Sequence, residues 1–130
     1  MTALRAMLRG RAAAERNMVD ACTITRTTGS TTDPETGATS LTTTTVYTGK
    51  CRFQQAAAGA SGQNVAEANI YQVAHLVQLP MSVTGVRVED VVTATVSIDP
   101  DLVGRRFWVR AVAEGTHKTA RRLPIELVTG

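Results

Sequence analysis

The chain has 130 residues, is 43% hydrophobic and 19% charged and carries a formal net charge of +3, which excludes a disordered chain or a coiled coil and fits one ordinary domain with one core. Aromatic residues make up only 4%, so Val, Leu, Ile and Ala must fill that core. Two cysteines, Cys22 and Cys51, are too few for a disulfide scaffold and lack zinc-finger spacing.

Residues 3–17 place Leu4, Met7, Leu8 and Ala12 at helical spacing with Arg5, Arg9 and Arg16 on another face, predicting an amphipathic helix within residues 1–18. Gly10 costs it about 1 kcal/mol relative to alanine. A helix this short is marginal in water and needs a docking surface; its stripe is expected to dock on an adjacent subunit or on this chain's own core. Arg5, Arg9 and Arg11 interrupt any secretory h-region, and no later segment approaches the ~18 apolar residues of a membrane span. The expectation is a soluble chain, cytoplasmic when made and not membrane-bound.

From Val19 the period becomes alternating, and residues 19–130 read as a single β domain. CTITRTT (22–28) is rich in β-branched residues, and GSTTDPETGATS (29–40) is a turn region in which Pro34 suits position i+1 and Gly37 can take positive φ. LTTTTVYTG and KCRFQQ return as the partner strand, its Thr run facing solvent. The small-residue stretch 56–66 reads as a long mobile loop.

NIYQVAHLVQLP (69–80) is a strand ended by Pro80, residues 82–98 supply two shorter strands around Glu89 and Asp90, and RRFWVRAVAE and LPIELVT complete the set. The total is about seven antiparallel strands in a small β-barrel or sandwich, mainly β, with an N-terminal α-helix.

Catalysis needs groups that converge, a nucleophile with its base or two carboxylates with separated pKa values. Here His75 alternates with Val73 and Val77 in a strand while His117 lies in a polar turn. Asp99 and Asp101 flank Pro100 in a turn, and no glycine motif or metal-ligand series occurs. The chain therefore reads as a binding or assembly protein, with no enzyme activity, cofactor or metal expected. Cys22 and Cys51 fall on one hairpin and are expected to be free thiols.

The phrases RGRAAAERNMVDACTITR, VYTGKCRFQ, VRVEDVVTA, DPDLVGRRFWVRAV and GTHKTARRLPIEL together resemble the small head-to-tail connector proteins of tailed phages, of the head-closure (stopper) type. The resemblance runs over nearly the whole chain and carries no catalytic signature. It implies a β-barrel that forms a ring of six copies beneath the portal and adaptor, above the tail terminator or tail tube, holding packaged DNA without sequence specificity. The location it implies is the virion's neck. Another neck or tail-completion protein, an adaptor or a tail terminator, is the alternative, although adaptors are mainly helical. A small OB-like nucleic-acid-binding barrel is a further one, which would need stacking aromatics.

In such a ring the loop residues Ala58, Gly59, Ala60, Ser61, Gly62, Gln63 and Asn64 are expected to project into the channel. Six copies at +3 would gather about 18 formal positive charges. Arg105, Arg106 and Arg110 lie on or beside the strand before the turn that carries His117, Lys118, Arg121 and Arg122. The two sets are expected to form one basic belt that meets carboxylates of a neighbouring neck protein or DNA phosphates. The protein contact is the stronger expectation, because DNA in a channel must keep sliding.

Overall fold

The structure, a computed structural model, describes residues 2–57, 73–112, 114–116 and 118–128. Helix α1 (Thr2–Arg16) is followed by β1 (Asp20–Thr32), β2 (Thr39–Ala57), β3 (Val73–Leu79), β4 (Val91–Val96), β5 (Arg106–Val109) and β6 (Arg121–Leu127). The six strands close into an antiparallel barrel in the order β1-β2-β3-β6-β5-β4, with β4 pairing back onto β1. The mainly β barrel with an N-terminal helix that the sequence predicts is therefore the fold.

Strand stagger explains the long second strand. From Tyr47 the register runs through Ile24, Val92 and Phe107 to Leu127. The β3/β6 register, continued by two residues, sets Leu127 opposite Val73, and Val73 pairs with Ala57, ten residues farther along β2 than Tyr47. Closing a barrel with such shear tilts every strand. Consequently β2 pairs with β1 through Cys51 and with β3 from Arg52 onward.

Alternation places Cys22, Ile24, Cys51, Val77, Leu79, Val92, Phe107, Val109, Leu123 and Ile125 in the core. Phe107 is its largest fully buried side chain, 5.7 Å from the Phe53 ring and 5.3 Å from the His75 ring by centroids. Buried Asp20 ties the start of β1 to two neighbours, its carboxylate accepting from Phe53 N (3.3 Å) and Ile98 N (3.4 Å).

Three sequence expectations need correction. Residues 82–88 form a loop, not a strand. Gly85 takes φ 85° and Glu89 φ 79° there, and the Asp90 carboxylate accepts from Arg87 N at 2.8 Å, replacing ladder bonds with a side-chain cap. Val83 and Val86 of that loop still pack on the core. The turn expected over 29–40 is only six residues long: Asp33 N donates to Ala38 O and Gly37 N to Asp33 O, with Gly37 at φ 75°. Finally, Arg121 and Arg122 are strand residues, paired with Leu79 and Gln78, not members of a turn.

Cys22 and Cys51 are free and fully buried. The Cys51 thiol is pushed well above the usual thiol range, first by its hydrogen bond with Cys22 and then by burial. Beside them, burial pushes the Tyr47 phenol up to about 12; its hydroxyl donates to Lys50 O at 2.8 Å, over Gly49. Both shifts favour the protonated form, so their stabilisation is complete below the unfolded-state values and is lost as pH rises through the folded ones. Melting temperature should hold to about pH 8, fall above it as the unfolded Cys51 thiol ionises, and fall further above about pH 10. In the native protein at neutral pH both thiols should resist iodoacetamide and react only on denaturation; rapid native alkylation would contradict this burial.

Candidate interaction surfaces

Among the described residues, two elements stand outside the barrel. The first is the outer part of the β1/β2 hairpin. Only Ala21–Thr25 of β1 pairs with β4, and β2 reaches β3 only from Arg52, so beyond Arg26 the hairpin is a bare two-stranded ribbon. Every residue from 27 to 45 is exposed, including Leu41 at 69%. The six β1 residues Thr27–Thr32, five of them paired with β2 and Thr28 in a bulge, extend it by about 20 Å. The run is dominated by threonine, and its only charged residues are Asp33 and Glu35, both at the tip. A two-stranded ribbon is marginal alone in water, and this one has no edge lysine to deter pairing.

The ribbon is anchored where it leaves the barrel. Arg26 forms a bidentate pair with buried Asp90, Nε to Oδ1 and Nη2 to Oδ2 both at 2.9 Å, and Nη2 also donates to Gly85 O at 2.6 Å. The hydrogen bonds to Asp90 raise the already high Arg26 pKa. Planar guanidinium geometry suits this carboxylate fork, so the root of the ribbon is locked to the 80–90 loop, whose Val83 and Val86 pack on the core.

The second element is α1, which has no buried residue. It touches the barrel through a face that adjoins the predicted stripe and shares half-buried Met7 with it. A Cβ on Gly10 would lie 2.6 Å from Thr119 Cγ2, Arg11 Nε donates to Lys118 O at 3.0 Å, and Glu15 pairs with Lys50 at 2.9 Å. Glycine at that point permits an approach that alanine would block. The stripe is left outside: Leu4 and Leu8 are 44% and 52% exposed, Ala12 is exposed and Met7 half-buried.

The expected basic belt separates in space. Val128 N donates to Arg106 O, while Arg122 lies six residues back along β6, about 20 Å away at 3.3 Å per residue. Arg105, whose Nε donates to Asp101 O at 2.7 Å, stays with Arg106. Arg121 and Arg122 sit at the other end of β6, with Lys118 just before them. Arg110 is between, engaged with Glu126 at 2.7 Å and Glu89 at 3.4 Å and lying 5.9 Å over the Trp108 ring. The sequence placed these arginines together because β5 and β6 are neighbours, but their antiparallel register carries them apart. His117 lies outside the described residues.

One barrel mouth holds a cleft of about 320 Å³ lined by Gln55, His75, Asp99, Arg105 and Phe107, among others. β2 ends and β3 begins beside it, Gln55 pairing with His75 and Ala57 with Val73. Ala58, Gly59, Ala60, Ser61, Gly62, Gln63 and Asn64, the expected channel loop, lie outside the described residues. Most described aromatic rings serve packing: Phe107 is in the core, Phe53 and Tyr47 pack against it, and half-buried Trp108 lies under Arg110. That leaves no row of open rings for stacking bases among the described residues.

No described helix is long and apolar enough to cross a membrane. The exposed helix stripe follows the apolar spacing of Leu4 and Leu8, whereas the length of the ribbon does not follow from its sequence. CTITRTT and the Thr run mark its two strands, but the outer residues 29–32 and 39–40 carry no apolar alternation and read as turn. Comparison with curated proteins and with solved structures gives no match. A family model spans residues 10–126, from the glycine at which α1 touches Thr119 to the penultimate residue of β6, and the chain thus belongs to the family of unknown function DUF6093.

Proposed function

We propose that this chain is a structural subunit of the tailed-phage neck, a head-closure protein that forms a ring between the portal or adaptor and the tail, closes the DNA-filled head and offers the tail its docking surface. The observation that carries the reading is the division of labour in the fold. A closed barrel buries its own core, while α1 and the 27–45 ribbon lie outside it as surfaces for neighbours. A ring subunit needs this combination, because cyclic assembly requires two different complementary surfaces on each copy. The resemblance of the sequence phrases to phage stoppers supplies the place in the particle. Basic groups at both ends of β6, Arg105 and Arg106 at one and Arg121 and Arg122 at the other, suit contacts with acidic neighbours above and below, or with DNA phosphates.

The test is genetic. Deleting the gene from a phage that encodes this chain should yield heads that package DNA, fail to join tails and lose their DNA, with complementation restoring tailed particles. Normal tailed, infectious particles in the deletion strain would overturn the reading.

A further inference from the structure

We propose that the ribbon of one copy docks on helix α1 of the next copy, the acidic tip residues Asp33 and Glu35 meeting Arg5 and Arg9, with Leu41 set against Leu4 and Leu8. The inference deepens the ring reading and rests on it for closure of the array, while the contact itself follows from two surfaces of this chain.

Charge supplies the first reason. The ribbon, residues 27–45, contains Asp33 and Glu35 and no Lys or Arg, whereas Thr2–Arg16 contains four arginines and one glutamate. The segments have opposite signs, and opposite potentials orient partners and suppress wrong ones. Exposure supplies the second. Leu4, Leu8 and Leu41 are among the large apolar side chains that the fold leaves in water, and Arg5, Leu8 and Arg9 line a shallow cleft of about 440 Å³ along the helix. An apolar patch flanked by charge is a typical docking surface.

Reach supplies the third, because the two elements do not meet within one chain. Glu15 holds Lys50, and Arg5 lies ten residues along the helix from Glu15, about 15 Å at 1.5 Å per residue. The outer end of β2 at Thr39 is about 36 Å of strand beyond Lys50, and the tip turn lies past it. A second copy must therefore bring the tip to the helix. Such a contact is heterologous: each copy gives a ribbon and receives one, which closes into a ring when the rotation permits. Ordering against a neighbour also resolves the weakness of a ribbon that has no third strand.

The experiment uses the full-length protein, with self-association followed by sedimentation velocity and native mass spectrometry from micromolar to millimolar concentration. Asp33→Lys with Glu35→Lys should weaken association at least about ten-fold, and so should Arg5→Glu with Arg9→Glu. All four together should restore it to near the wild-type value. Every site is exposed and the one bond lost, from Glu35 N to the Asp33 carboxylate, is confined to the ribbon tip, so far-UV circular dichroism and melting temperature should stay close to wild type. Association unaffected by either pair would overturn the inference while leaving the ring reading in place. Loss with the tip pair that the helix pair does not rescue would mean that the ribbon docks elsewhere, edge to edge with another ribbon included, and would also overturn it. A wild-type chain that stays monomeric throughout would sink the self-contact, whereas the ring reading would still be judged by the deletion phenotype.

Discussion

Phe107→Ala is expected to lower folding stability by about 3–5 kcal/mol, read from urea unfolding. The ring is almost fully buried in the barrel core below one mouth, against Phe53 and His75, on a strand of only four residues. Truncation removes the transfer free energy of the ring and leaves a cavity that a closed barrel cannot collapse, because each wall strand is held by hydrogen bonds on both sides. A domain of this size has about 5–15 kcal/mol of stability in total, so the variant should be marginal at body temperature. Phe107→Leu, which keeps much of the volume, should lose far less. A cost below about 1 kcal/mol for the alanine variant would mean that the packing described for the core is wrong.

Asp90→Ala comes next, with an expected loss of about 3 kcal/mol. Its carboxylate is 2% exposed and accepts three hydrogen bonds, two from Arg26 and one from Arg87 N. Removing it leaves an arginine head at the barrel edge without its fork partner and the Arg87 N–H without its cap. Melting temperature should fall by roughly 10 °C. The damage should be local in character: hydrogen exchange should quicken in the 80–90 loop and at the root of the ribbon before it does so in β3 and β6. Uniform acceleration across the barrel would show that the pair is not specific to that corner.

The sequence revealed the helix, the barrel class and the Pro34–Gly37 turn because each is a local pattern: apolar spacing of 3–4 residues, alternation of β-branched residues, and turn formers in fixed order. What it concealed depends on partners distant in the chain. The valines of 82–88 suggest a strand, but Arg26 and Asp90, 64 residues apart, make that segment a clamped loop. Arg121 and Arg122 look like turn residues until Leu79 and Gln78 pair with them. The ribbon was hidden for another reason: Thr, Ser and Gly are at home in both loops and solvent-exposed strands, so composition could not say where the turn stopped. For the candidate surfaces the helix stripe was legible in Leu4 and Leu8, whereas the separation of the basic residues was not, since it follows from the direction in which β5 and β6 run.

The central claim, that this barrel is a ring subunit whose ribbon and helix act between copies, is tested most directly by a cryo-EM reconstruction of the neck of a phage that encodes the chain. The account predicts a closed ring of these barrels below the portal and adaptor, with the tip of each ribbon, Asp33 to Glu35, resting on residues 4–9 of the adjacent copy. A neck without this barrel, or a ring in which every ribbon lies free of its neighbour's helix, would contradict it.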